Sequence, residues 1–288
     1  MSRAHLRALG LSVLVALSAA FGAPYDLTAL DDEFDDATSL ARWQRHDVVE
    51  GWPSQWKALD VNTTSPGHLY VEPYSSAWFA GMRAPYLFKE VTGDFVVTAR
   101  VLASGRATPV PTAGWSLLGL MIRQPRPSVT PDTWSSSGEN WVFLTVGTAD
   151  DVGAPQIEDK STTNGASSLR TRPGRAGWVE LRVARIGRSV LLLRRFDGEG
   201  WAVHRRLDRP NLGVTLQVGV NAYTDNDSLG VVNDALAYNR TVVTQGRPDL
   251  VGRVDWVRFA RPDVPDAWRG MDLSWNVSDE DLLKVLGR

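Results

Sequence analysis

The most constraining feature of this chain is the alternation of apolar and polar residues in short segments separated by turn residues. A strand places successive side chains on opposite faces, so a period of two predicts a half-buried β-strand. The segments 93–101, 178–185 and 214–223 show this period most clearly. The predicted core-facing residues include Phe95, Val97, Val179, Leu181, Val183, Leu216 and Val218.

Turn residues and further apolar segments extend this pattern along the chain. Hairpin turns are indicated at 186–189 and 197–200, and further strands at 68–72, 78–82, 117–123, 141–147 and 253–259. Polar, Pro-rich or Gly-rich composition predicts long loops at 106–112, 126–138, 150–177 and 224–249. Many short strands predict an all-β fold: a two-sheet antiparallel jelly-roll sandwich with a short C-terminal helix.

The C-terminal segment has helical character. Ser278 precedes three acidic residues and the apolar run 282–286, and Lys284 and Arg288 lie at its end. A serine cap, acids in the first turn and bases in the last suit the helix dipole. We therefore expect a sandwich domain over 25–261 and an extension over 262–288 whose helix packs on the sandwich or meets a partner.

The N-terminal segment has the pattern of a secretory signal. Arg3 and Arg7 precede the apolar run 8–20, and small residues follow it. The run is shorter than the roughly 20 apolar residues of a membrane span, so an uncleaved anchor is the less favoured alternative. We predict a signal peptide over 1–22, a mature chain that begins between residues 20 and 25, and a secreted protein without membrane contact after cleavage.

Charge and cysteine content exclude several classes of function. The 31 Lys and Arg residues balance 33 Asp and Glu residues, for a formal net charge of -2, and there is no basic run. A nucleic-acid partner is therefore not expected. The absence of cysteine excludes disulfides, thiol nucleophiles and cysteine-bearing zinc sites.

The order of several short motifs carries a family resemblance. Asp-Glu-Phe-Asp opens the series at 32–35, and Val-Gly-Val closes it at 218–220. The intervening motifs lie at 67–71, 84–95, 119–123, 139–142, 178–187 and 196–201. This ordered set resembles the concanavalin A-like family called "regulation of enolase-like", of unknown function and related to the C-terminal β-sandwich of β-xylosidases. The resemblance covers about 31–260 and implies a concave sheet face and sugar binding by relatives.

Catalytic motifs are missing from the sequence. Retaining glycosidases on this fold carry acids spaced as E-x-D-x-x-E along one strand, which converge because of the strand period, and no such triplet occurs here. His46, His68 and His204 have no partner motif nearby. The leading hypothesis is a secreted, non-catalytic, lectin-like protein. The alternatives are a glycoside hydrolase or polysaccharide lyase on the same fold, and a structural or interaction module.

Tryptophan is abundant, with 12 residues, and aromatic faces stack on sugar rings. If Val142 points into the core, strand parity turns Trp141 to the opposite sheet face. We expect that face to be exposed. Five residues on it are predicted to bind carbohydrate: Arg123, Trp141, Gln217, Asn221 and Tyr223. The alternative places Trp141 in a core, and the next candidate is the cluster of Trp52, Trp56 and Trp78.

Acidic residues near the first and last strands raise the question of a metal. Asp31, Asp32 and Asp255 would lie together if the terminal strands are neighbours, and the segment 225–227 is a second oxygen-rich cluster. Two interpretations are open for both: a structural Ca²⁺ site or solvated turn chemistry. No other cofactor is predicted.

Overall fold

The structure is a computed structural model that describes residues 26–288. The predicted signal peptide and its cleavage site lie outside the described residues. No helix of the described part is long and apolar enough to cross a membrane.

Two seven-stranded antiparallel sheets form the molecule. The front sheet, in spatial order, contains β1 (Gln44–Arg45), β4 (Tyr86–Thr92), β13 (Thr215–Tyr223), β6 (Ser116–Arg123), β7 (Trp141–Thr148), β8 (Gln156–Thr163) and β9 (Ala166–Pro173). The back sheet contains β12 (Ala202–Asp208), β11 (Ser189–Phe196), β10 (Val179–Ile186), β5 (Phe95–Ser104), β14 (Val251–Ala260), β3 (Leu69–Pro73) and β2 (Trp56–Val61). The predicted all-β two-sheet sandwich is confirmed.

The main core lies between the sheets, where the period-two pattern of the sequence places it. All seven residues named for the core are at most 1% exposed. Strand spacing and parity are local properties, so the sequence pattern is enough to assign these faces. The terminal segments are also neighbours, since Asp32 and Val257 exchange backbone hydrogen bonds of 2.9 and 2.8 Å.

Two of the predicted elements are wrong. The segment 150–177, predicted as a loop, contains β8 and β9, which pair as a hairpin through Asn164 and Gly165. The segment 78–82, predicted as a strand, has one isolated bridge, between Phe79 and Met82. Trp78 of this segment packs against Trp141 of the front sheet, and its burial therefore does not require strand pairing.

Helices are few among the described residues. The α-helices are α1 (His46–Glu50), α2 (Ala235–Asn239) and α3 (Asp279–Leu286). The predicted C-terminal helix is confirmed as α3, and Ser278 caps it by accepting a hydrogen bond from the Asp281 N–H at 3.1 Å. α3 packs on the outer face of the back sheet, where Leu282 and Leu286 join a cluster with Leu191, Leu193 and Trp201.

Candidate functional site

The five residues predicted to bind carbohydrate share the outer face of the front sheet. The register pairs Arg123 with Trp141 on one side and with Gln217 on the other, and Asn221 and Tyr223 follow Gln217 with a period of two along β13. The expectation that this face is exposed is wrong. Arg123, Trp141 and Asn221 are 0% exposed, and the other two are at most 3% exposed.

The face is buried because distant segments fold over it. Trp78, from the segment between β3 and β4, lies with its ring 5.7 Å from that of Trp141 in an edge-on contact, and Trp141 stacks on Phe143 at 5.3 Å. A second apolar cluster results, outside the main core. The tryptophans predicted as the next candidate site are also buried. Trp52, Trp56 and Trp78 are at most 8% exposed, and Trp56 belongs to the main core.

Arg123 is enclosed by carboxylates at one end of this face. Its Nη1 donates to Glu50 of α1 at 2.7 Å and to Gln217 at 3.0 Å. Its Nε and Nη2 donate to the two carboxylate oxygens of Glu139 at 3.1 and 3.0 Å. His46 Nε2 lies 2.9 Å from Glu50. The Arg123 guanidinium therefore makes four hydrogen bonds to protein groups and is 0% exposed, which closes it to a ligand.

The charges of this network are fixed by their neighbours. Burial alone would raise the pKa of Glu50 and Glu139, but the guanidinium of Arg123 holds both pKa values below the ordinary range. Burial lowers the pKa of His46, with Glu50 opposing the shift and Arg123 adding to it. Both carboxylates are thus ionised and His46 is neutral at pH 7.

Tyr223 lies at the other end of the face, beside two charged residues of β8. Its hydroxyl donates to Glu158, and Lys160 Nζ lies 2.9 Å from the other oxygen of Glu158. Burial raises the pKa of Tyr223 well above its ordinary value, and the Glu158 carboxylate adds to this. The phenol is therefore a neutral donor rather than a base.

Lys160 is buried in an aromatic cage. Its Nζ donates to the Trp78 carbonyl at 2.7 Å. Four rings lie with their centroids 5.2–5.6 Å from that nitrogen: Phe79, Trp115, Phe143 and Tyr223. Cation–π attraction and the Glu158 charge compensate for the burial of the ammonium.

An open pocket adjoins this cage, and we call it the Trp115 pocket. Its volume is about 270 Å³, and it is lined by Ala77, Phe79, Met82, Trp115, Lys160, Leu169, Tyr223 and Asn226. Phe79 is 44% exposed although it is a large apolar residue. Tyr223 is the one residue of the predicted set that lines it. Phe79, Lys160 and Trp115 were not predicted as site residues from the sequence.

The backbone beside the Trp115 pocket is strained. Trp115 has φ of 57° and Ala80 has φ of 51°, in the left-handed region that side chains other than Asn and Asp rarely adopt. Each such residue costs about 1–3 kcal/mol and is often found at ligand sites. The fold therefore holds Trp115 in the lining of the pocket against a local energetic cost.

The acidic residues near the terminal strands already have protein partners. Asp31 accepts a backbone N–H of β14 at 2.6 Å, Asp32 accepts the Trp43 indole N–H at 2.8 Å, and Asp255 accepts from Arg100 at 2.8 Å. No group of three His, Asp or Glu side chains within 26–288 is arranged to hold a metal ion. Calcium binding at Asp31, Asp32 and Asp255 stays a prediction.

A further contact, which was not predicted from the sequence, joins the two sheets. His204 of β12 lies with Nε2 3.1 Å from Asp159 of β8, and Arg205 pairs with the same carboxylate. Burial opposes ionisation of Asp159, but hydrogen bonds from His204 and Arg205 hold its pKa below the ordinary value. This group links β12 of the back sheet to β8 of the front sheet.

Comparisons with known proteins support the fold. No family model and no curated protein matches the chain. The GH43 protein BlXynB of Bacillus licheniformis superposes with a TM-score of 0.52 at 14% identity, over 80% of this chain and 39% of that one. A xylan β-1,4-xylosidase of Bacillus halodurans gives 0.51 at 14% identity, over the same two shares of 80% and 39%.

A third similar structure is a functionally unknown protein of Saccharomyces cerevisiae, with a TM-score of 0.52 at 18% identity, over 77% of this chain and 98% of that one. The chain therefore spans about two fifths of the two GH43 proteins, and the likeness shows a shared fold. Membership of the "regulation of enolase-like" family stays a prediction.

Proposed function

We propose that the protein is a secreted, non-catalytic carbohydrate-binding protein whose ligand occupies the Trp115 pocket. The observation that carries the proposal is an aromatic-walled pocket on the outer face of the front sheet, with a buried cation at its base. A sugar ring presents apolar C–H faces to aromatic rings and hydroxyls to polar groups. The sugar-active GH43 chains of similar fold add support at the level of architecture.

The walls and the polar groups of the pocket have separate tasks. Phe79 and Trp115 provide the apolar faces. Lys160 and the Asn226 amide provide polar groups for hydroxyls, and Lys160 keeps an N–H beyond its contacts with Trp78 and Glu158. The pocket volume of about 270 Å³ is slightly below the range of about 300–1,000 Å³ that is typical of ligand sites, so we expect one terminal sugar residue to enter it.

The charge states favour binding over glycoside hydrolysis. A glycosidase needs one carboxyl group that stays protonated and a second carboxylate across the scissile bond. Glu50 and Glu139 both have lowered pKa values and share one arginine in a sealed network. Glu158 is paired with Tyr223 and Lys160. A lyase base at Tyr223 is disfavoured because the phenol pKa is raised well above 10.0.

Export is part of the proposal and rests on the sequence alone. Arg3, Arg7 and the apolar run 8–20 support cleavage between residues 20 and 25. N-terminal sequencing of material secreted by the native host tests it. A chain that starts at Met1 and sediments with membranes contradicts it.

The binding test uses Trp115→Gly. Glycine tolerates the positive φ of this position, so the ring is lost while backbone strain is relieved. A glycan array identifies ligands of the wild-type protein, and calorimetry gives their affinity. We expect Trp115→Gly to weaken binding at least tenfold, since an aromatic anchor commonly contributes more than about 1.4 kcal/mol. The ring also contacts Lys160 and packs on the second apolar cluster, so the melting temperature of the variant is measured to confirm that it is folded.

The control is Trp275→Ala, which removes a tryptophan that is 74% exposed on the C-terminal extension. Its affinity should equal that of the wild type. Wild-type affinity in folded Trp115→Gly, or loss of affinity in Trp275→Ala, contradicts the assigned site. Release of reducing sugar by the wild-type protein contradicts the non-catalytic role.

A further inference from the structure

A second pocket lies on the opposite side of the molecule, between the back sheet and the C-terminal extension. Its volume is about 550 Å³. We call it the Arg182 pocket. It is lined by strands β5, β10, β11 and β14, by Trp201, and by the segments 260–265 and 285–288. The carbohydrate proposal does not use this pocket.

The floor and sides of the Arg182 pocket follow from the sheet register. Thr98 of β5 is paired with Arg182 of β10 on one side and with Arg258 of β14 on the other. Strands are about 4.8 Å apart, so the two arginines flank the small threonine across about 10 Å. The result is a depression with a hydroxyl floor and a guanidinium on each side.

Tryptophan rings hold both arginines in place. The Arg182 guanidinium lies 4.1 Å from the Trp201 ring centroid, and that of Arg258 lies 4.3 Å from the Trp256 centroid. Arg182 Nε also donates to the Thr98 hydroxyl at 2.8 Å, and Nη1 donates to backbone oxygens of the C-terminal segment. These cations are therefore preorganised, which lowers the entropic cost of binding a ligand.

The lining carries more arginines than carboxylates, and one of them, Arg258, also donates through Nε and Nη2 to Glu33 at 2.8 Å each. Five arginines, at 182, 195, 258, 261 and 288, line the pocket with two carboxylates, Glu180 and Asp263. Both oxygens of Glu180 accept from Arg195, at 2.6 and 2.7 Å. Burial and the nearby Arg195 lower the pKa of Arg182 to about 10, as expected of a cation with too little compensating charge.

From this geometry we propose that the Arg182 pocket binds a small organic oxyanion. The ligand carries a carboxylate or a phosphate group on a body about the size of one sugar ring. Guanidinium groups match the geometry of both anions. The walls formed by Trp201, Trp256, Pro265 and Leu286 contact the body of the ligand, and the Thr98 floor fits a group between the two cations.

Four probes test the proposal on the purified protein by calorimetry at constant ionic strength: sodium D-glucuronate, D-glucose 6-phosphate, inorganic phosphate and neutral D-glucose. We expect both charged sugars to bind more tightly than glucose, and their affinity to fall as sodium chloride is raised. If glucuronate binds and glucose 6-phosphate does not, the ligand is a carboxylate. Binding of both charged sugars, more tightly than inorganic phosphate, identifies a general oxyanion site that also contacts the ring.

Arg195→Gln and Arg258→Gln are the test variants. Arg195→Gln removes one cation and frees Glu180 to pair with Arg182, so we expect affinity to fall at least tenfold. Arg188→Gln removes the same charge from an exposed pair with Asp208 outside the pocket and should bind as the wild type. Melting temperatures identify any variant that fails to fold, in which case the other test variant decides.

Several outcomes overturn the proposal: no charged probe binds at millimolar concentration, glucose binds as tightly as glucuronate, or Arg188→Gln loses as much affinity as the test variants. Trp115→Gly separates this site from the proposed glycan site. It should leave glucuronate affinity unchanged, so failure of one site does not imply failure of the other.

Discussion

The Trp141 indole is enclosed by Trp78 and Phe143 and is 0% exposed. We therefore expect Trp141→Ala to reduce the free energy of unfolding by about 3–5 kcal/mol, the cost of a large buried aromatic. Chemical denaturation of the variant and the wild type measures this. A loss below about 1 kcal/mol contradicts the enclosure and returns Trp141 to the set of candidate ligand contacts.

His46 makes the free energy of unfolding depend on pH. Its pKa is lowered from 6.5 in the folded state, so the unfolded state gains protons first as the pH falls through 6.5, and the free energy of unfolding decreases. The lowered pKa values of Glu50 and Glu139 produce a second decrease below about pH 4.5. Each group contributes a slope of at most about 1.4 kcal/mol per pH unit.

Denaturation between pH 7.5 and 3.5 tests both decreases with the variant His46→Gln. The variant should lose the decrease that begins near pH 6.5 and keep the one below about pH 4.5, because Arg123 and its two carboxylates are still present. If the variant and the wild type have equal slopes between pH 6.5 and 5, the buried neutral state of His46 is wrong.

At the scale of elements, the β8–β9 hairpin is the largest departure from the sequence prediction. Its two-residue turn is Asn164-Gly165, with φ of 48° and 80°. Asn-Gly is the strongest short sequence signal for a β-hairpin. It favours a type I′ turn, which requires positive φ at both central residues, as observed here. The signal was present in the sequence, but the polar residues around it led to the prediction of a loop.

Gly165→Ala tests this turn against Gly198→Ala, the matched control. Both glycines have φ of +80°, but an added Cβ meets Ser136 O at 2.5 Å at position 165 and nothing within 4 Å at position 198. The left-handed conformation alone costs about 1–2 kcal/mol in each variant. Crowding should add about 1–3 kcal/mol to Gly165→Ala. Equal losses in denaturation experiments contradict the close approach of the turn to Ser136.

At the scale of the whole molecule, different segments of the chain pack on the outer faces of the two sheets. The front sheet is covered by α1, the Trp78 segment and the loop that carries Glu139, and the back sheet by the C-terminal extension. The Trp115 pocket and the Arg182 pocket lie at these covers, on opposite faces of the sandwich. The two pockets share no lining residue, so the two proposed sites can be tested separately.

Removal of 262–288 tests the role of the C-terminal extension. Leu191, Leu193 and Trp201 would then become exposed on the back sheet, where Leu282 and Leu286 now cover them. Large exposed apolar patches bind hydrophobic dyes and promote aggregation. We expect a lower melting temperature and stronger ANS fluorescence than in the full chain. Wild-type values for both would show that the extension is not part of the folded unit.

The sequence alone determined the fold class, the core-facing residues and the shared face of Arg123, Trp141 and Asn221. These follow from strand parity, which is a local property of the chain. Tertiary structure alone decided whether that face is open, because its cover comes from Trp78 and from Glu50, which is 73 residues from Arg123 in the chain. The aromatic cage of Lys160 and the row Arg182–Thr98–Arg258 likewise depend on strands that are distant in sequence. Strand order is set by the packing of the whole chain, and no local pattern encodes it.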